Sequence, residues 1–178
     1  KYGDIGALID IGFLENAKDT INKLYDQDIQ FTSIDIGRDT LTTIAESRVR
    51  GIMPQFGFYD ENTLQAMVNA DVDYLVTDSL TDRSVPKKII RGKDQLLVIT
   101  KTSRDDHQII REYGLTKTKF QKFTYEEDID RLLFEGGLYV FKIHSDYQMK
   151  AEYVSVVNDV INYLKNKNVW VTSIPELK

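Results

Sequence analysis

GIMPQFGFYDENTLQAMVNADVDYLVTD, residues 51–78, is the stretch on which the fold turns. Residues 51–57 read as a brief extended segment closed by Pro54 and Gly57. Residues 60–70 form a helical run with Asp60 and Glu61 in its first turn, where acids suit the helix dipole. Residues 72–78 (VDYLVTD) read as a strand. Two strands joined by a connection of helix length pair in parallel, because a hairpin needs no such crossover.

The same rhythm extends in both directions. Upstream, 4–12 is an apolar strand stopped by Gly12, and 13–27 is a helix with Leu14, Ala17, Ile21 and Leu24 on one face. IQFTSIDIG (29–37) reads as a second strand, and 39–47 as a short helix. Downstream, the polar stretch 79–94 holds a short strand near Ile89 and Ile90, and 95–102 is a strand. Residues 103–114 form a short helix capped by Ser103 and stopped by Gly114. Thr124 and Glu127 make a capping-box pair at the head of a helix over 124–137. LYVFKIH (138–144) is a strand, 151–167 is a helix with Tyr153, Val157, Val160, Ile161 and Leu164 in one stripe, and 169–173 is the closing strand. About seven strands result, in an open doubly wound sheet or a (β/α) barrel; the usual eight-strand barrel needs about 250 residues. With no internal repeat or linker, 1–178 reads as a single domain.

Composition narrows the function classes. The net charge of −5 argues against nucleic acid as a partner, which would call for a basic face. The absence of cysteine excludes disulfides, thiolate metal sites and a cysteine nucleophile. No apolar run reaches the roughly 18 residues of a transmembrane segment. The chain begins at Lys1 and reads without a signal peptide. No phosphate-cradling glycine motif, nucleophile elbow or HExxH is present, and two histidines cannot build a three-histidine zinc site.

Ligands of parallel α/β folds collect at the C-terminal ends of the strands. That rule selects Asp10, Asp35, Pro54 to Phe56, Asp78, Lys101, Arg104, and His144 with Asp146. A carboxylate and an imidazole on one face supply a general base and a general acid. The plainer readings are that Asp10 caps the helix after it, that His107 lies on a solvated helix face, and that Tyr139, Phe141, Tyr153 and Trp170 are core.

GGLYVFKIHSDYQ (136–148), followed by a helix and NVWVTSIPELK (168–178), resembles the late histidine-bearing strand and closing segment of the polysaccharide deacetylases of the NodB-homology type, carbohydrate esterase family 4. MPQFGFYDENTLQAMVNADVDYLVTDS (53–79) is similar to that family's arginine-proline-proline-tyrosine-glycine loop, helix and strand, and IGALIDIG (5–12) stands where the family has its paired aspartates. The resemblance implies a NodB-like distorted (β/α) barrel of about seven mostly parallel strands. It implies hydrolysis of N-acetyl groups on a polysaccharide or oligosaccharide, at the cell surface or outside the cell. It places the base on Asp10, the proton-donating histidine on His144, and substrate contacts on Pro54, Phe56, Asp78, Arg104 and Asp146.

The family's cofactor is a divalent, zinc-like metal held by one aspartate and two histidines. Here the metal-binding aspartate falls on Ile11, and the two-histidine motif has no counterpart between TTIAESRVRG and IMPQFG. The loop arginine falls on Met53, the second proline on Gln55 and the tyrosine on Phe56, so the metal ligands stay unassigned. Three functions remain open: a deacetylase, a non-catalytic carbohydrate-binding or assembly module of the same fold, and a glycosidase-type hydrolase using strand-end carboxylates.

Overall fold

A computed structural model describes residues 6–9, 12–13, 23–54, 57–78 and 85–177. The chain divides into two compact units, 1–100 with 172–178, and 101–171.

The first unit carries a five-stranded sheet in the order β1-β4-β5-β7-β6. Its strands are β1 (Gly6–Ile9), β4 (Gly51–Pro54), β5 (Tyr74–Thr77), β6 (Lys87–Arg91) and β7 (Asp94–Thr100). β1, β4, β5 and β7 run parallel, and β6 joins β7 as an antiparallel hairpin at the edge. β5 and β7 are short apolar runs, buried over most of their length, as strands covered on both faces must be. The parallel β4–helix–β5 crossover read from residues 51–78 is present. Its helix, α2 (Glu61–Asn69), starts from an Asp60–Thr63 capping box.

Three expectations for this unit are corrected. Among the described residues the sheet is open with five strands, not a seven-strand barrel. Residues 29–37 are not a strand but the first half of α1 (Gln27–Ala45). Asp26 caps that helix by accepting from the Ile29 N–H, and its inward face is Gln30 and Ile34, one helical turn apart. Ile29 and Ile36 are exposed. The ends of the helix expected over 13–27 lie instead in a short antiparallel pair, β2 (Gly12–Phe13) with β3 (Lys23–Leu24); residues 14–22 lie outside the described ones.

Ile34, Val49, Ile52, Leu64, Met67, Val72, Leu75, Leu96 and Val98 form the core of this unit. Each such side chain contributes about 1.5–3 kcal/mol when fully buried. Gln30, fully buried, ties the two helix starts together. Its amide donates to the Tyr25 carbonyl and the Asp60 carboxylate, and its oxygen accepts from the Thr63 hydroxyl.

The second unit packs α3 (Thr118–Glu135) against α4 (Val154–Asn166), with a π-helical turn over Gln108–Glu112. Ile109, Tyr125, Ile129, Val156 and Val160 are its core, with Tyr139 and Phe141 packed on them. The α4 stripe is therefore centred on Val156 and Val160, while Ile161 is partly exposed.

The strand expected over 138–144 has no backbone ladder. Two hydroxyls take the place of a partner strand. Thr102 Oγ1 donates to the Leu138 carbonyl and accepts from the Val140 N–H, and Ser103 Oγ donates to the Val140 carbonyl. Residues 169–173 likewise form no strand, and Trp170, expected in the core, is 74% exposed. No helix among the described residues is long and apolar enough to cross a membrane.

Candidate functional site

The best-built polar site lies in the second unit, in SRDDHQ (103–108) and the turn after residue 143. Asp106 is fully buried. Its Oδ2 accepts the backbone N–H of His144 at 2.6 Å and of Gln148 at 3.1 Å, and its Oδ1 accepts that of His107 at 2.9 Å. The same Oδ1 stands 2.5 Å from Nδ1 of His144. A carboxylate serving so many N–H donors acts as an acceptor, so Nδ1 of His144 carries the hydrogen and Nε2 is left for chemistry. The His144 side chain is 34% exposed and its partner is completely enclosed. One end of the dyad is thus rigid and dry while the other reaches solvent.

Buried amides and hydroxyls hold this arrangement. Gln148 accepts from the Tyr125 hydroxyl and donates to Gln121 Oε1 and the Tyr153 carbonyl. Burial, with Asp106 close by, pushes the Tyr125 hydroxyl far above its ordinary range, so it remains a donor. Burial likewise raises the Tyr139 hydroxyl.

Beside the dyad, Lys101 Nζ lies 2.8 Å from Asp105 Oδ2 and 3.2 Å from Gln108 Oε1, with Lys142 at 3.9 Å from the same carboxylate. Burial of Asp105 opposes its ionisation. The hydrogen bonds from Lys101 and the Gln108 N–H and the charges of Lys101 and Lys142 outweigh that, and its pKa falls below the ordinary carboxylate value.

The sequence-predicted residues are distributed as follows. His144 is half of the dyad, and Asp146 is exposed in the turn after it. Arg104 is committed to α3: its guanidinium donates to Asp128, Glu127 and the Thr124 carbonyl, and its backbone N–H to Asp128. Burial of Arg104 works against its charge, but those carboxylates raise its pKa further. In the first unit, Pro54 ends β4 and Asp78 follows β5, on neighbouring parallel strands. Gly57, at φ 75°, lies against Asp78, where an added Cβ would stand 2.4 Å from the Asp78 nitrogen. Asp10 and Phe56 lie outside the described residues.

Asp106 was not singled out from sequence. The available signal was the acidic pair Asp105–Asp106 a few residues beyond a strand end. His107, expected on a solvated helix face, is about half exposed, with its ring 6.5 Å from that of His144.

The family chemistry requires three metal ligands. Among the described residues no group of three or more histidine, aspartate or glutamate side chains stands close enough to hold a metal. The described donor set therefore does not fit the family's metal centre.

No family model and no curated protein matches the sequence. Solved structures do. A structure from Mycobacterium smegmatis described as a polysaccharide deacetylase aligns with TM-score 0.73 and 16% identity over 85% of this chain and 56% of its own. A second so described, from Pseudomonas aeruginosa PAO1, aligns with TM-score 0.71 and 17% identity over 85% and 52%. Puue allantoinase aligns with TM-score 0.69 and 19% identity over 95% and 54%. The chain spans about half the length of these structures. At such identities the likeness is one of fold, and the chain has the NodB-like fold of the polysaccharide deacetylases.

Proposed function

We propose that the chain is a single NodB-like, deacetylase-type domain that hydrolyses N-acetyl groups on a polysaccharide at the cell surface or outside the cell. The observation that carries this reading is the Asp106–His144 dyad. An imidazole whose Nδ1–H is fixed on a buried carboxylate is oriented to deliver a proton from Nε2. Amide hydrolysis needs that step, because the departing amine must be protonated as the carbon–nitrogen bond breaks. Asp10 is the proposed base, Pro54, Phe56, Asp78 and Asp146 the proposed substrate contacts, and Arg104 a positioning residue for the loop that bears Asp106.

A second reading, a glycan-binding module without hydrolysis, is favoured by Ile11 standing at the family's metal-ligand position and by the absence of a three-ligand cluster among the described residues. The test is to incubate the purified chain with N-acetylglucosamine oligomers and measure acetate and new reducing ends in parallel. Acetate alone supports deacetylation. New reducing ends without acetate support a glycosidase. Oligomer binding without either product supports the module.

A further inference from the structure

We propose that the solvent face of α3 is an interface between two copies of this chain, which pair their α3 helices antiparallel. The buried face of the helix includes Tyr125, Ile129 and Leu132. On the opposite side Phe120, Phe123 and Phe134 are 50%, 65% and 93% exposed. With Glu127 and Asp130 between them, they follow one another at steps of three and four residues, the spacing of a seam between two helices. The seam from Phe120 to Phe134 runs about 21 Å along the helix. A surface helix ordinarily turns a charged face to water, and a helix apolar on both sides is covered on both. At about 200 Å² for a whole side chain, the three phenylalanines leave about 400 Å² bare on each copy. A contiguous apolar patch of that size marks an interaction surface.

The charges along α3 select a second copy as the occupant. The head of the helix carries Lys117, Lys119 and Lys122, with no acid in its first turn. Beyond residue 125 it carries five carboxylates against one arginine, with no base in its last turn. This order opposes the helix's own dipole, which favours acids at the head and bases at the tail. A second α3 laid antiparallel answers both faults, because the basic head of each copy then lies on the acidic tail of the other. In that register the Phe123 of each copy faces the Phe134 of the other, and the neighbouring Lys122 faces Glu135. The two carboxylates in the middle of the seam are already neutralised within their own unit. Glu127 lies 2.5 Å from the Arg104 guanidinium. Asp130 accepts the Tyr163 hydroxyl at 2.8 Å and lies 2.9 Å from Lys167 Nζ. Covering the seam therefore buries no carboxylate without a counter-charge.

The experiment is sedimentation velocity on the full, tag-free chain from low micromolar to near-millimolar concentration. A monomer–dimer equilibrium is expected in that range, weakening as salt is raised. Phe134→Asp, on an almost fully exposed side chain, leaves the far-ultraviolet circular dichroism unchanged and weakens association by about tenfold or more. Lys122→Glu also weakens it, and adding Glu135→Lys to that variant restores it, since the swapped charges meet again across the antiparallel pair. A chain that stays monomeric throughout overturns the proposal, also where that monomer binds N-acetylglucosamine oligomers through the phenylalanines. A dimer that Phe134→Asp leaves unchanged overturns it as well, and so does a double charge variant that associates no more tightly than Lys122→Glu alone.

Discussion

Asp106→Asn is the substitution that bears hardest on this account. The wild-type carboxylate serves the backbone N–H groups of His107, His144 and Gln148 and the Nδ1–H of His144 from within a fully buried position. An asparagine fits the same volume but presents one oxygen and one NH2. With the NH2 at the Oδ2 position, the N–H groups of His144 and Gln148 face another donor. With the NH2 at the Oδ1 position, the His107 N–H faces it, and His144 must surrender its Nδ1 hydrogen. Each buried donor left without an acceptor costs about 1–3 kcal/mol, so two cost about 2–6 kcal/mol. That is a large share of the about 5–15 kcal/mol by which domains are stable. Urea unfolding followed by far-ultraviolet circular dichroism reads the loss. Nitrogen NMR of His144 reads the tautomer, expected as Nδ1–H in the wild type. A variant within about 0.5 kcal/mol of the wild type, the ordinary range for surface changes, would refute the reasoning.

Three other expectations follow from the same geometry. Gly57→Ala combines a left-handed φ of 75° with a Cβ driven into the Asp78 backbone, so a loss of at least about 1–3 kcal/mol is expected in thermal unfolding. Asp105 has its pKa depressed in the folded chain, so its stabilisation is complete above the ordinary aspartate value near about 3.9 and is lost as pH falls through the lower folded value. Asp105→Asn should therefore flatten acid unfolding profiles in that window, and an unchanged profile counts against the pairing with Lys101. Tyr125→Phe removes a buried donor to Gln148 Oε1; about 1–2 kcal/mol should be lost in urea, together with faster amide exchange at Gln148.

The crossover over residues 51–78 was legible because its signals agree: punctuation at Pro54 and Gly57, acids at the helix start, and an apolar strand on each side. The segment 29–37 was misread because β-branched residues and Gly37 imitate a strand. The deciding fact, that Asp26 caps a helix whose buried face is Gln30 and Ile34, depends on a polar side chain finding partners on α2. The segment 138–144 has strand composition, but its hydrogen bonds go to the hydroxyls of Thr102 and Ser103, a tertiary pairing that no period reveals. His144 was legible as a polar group closing an apolar run. Its partner was not, because Asp106 lies 38 residues away in sequence and only the fold brings it to 2.5 Å.

The most direct test of the account is acetate release from N-acetylglucosamine oligomers by the native chain and by His144→Gln, compared under identical conditions. The account requires release by the native chain and a fall of about 100-fold or more in the variant, the scale of a lost general acid. No release by the native chain, or release undiminished in His144→Gln, would contradict it.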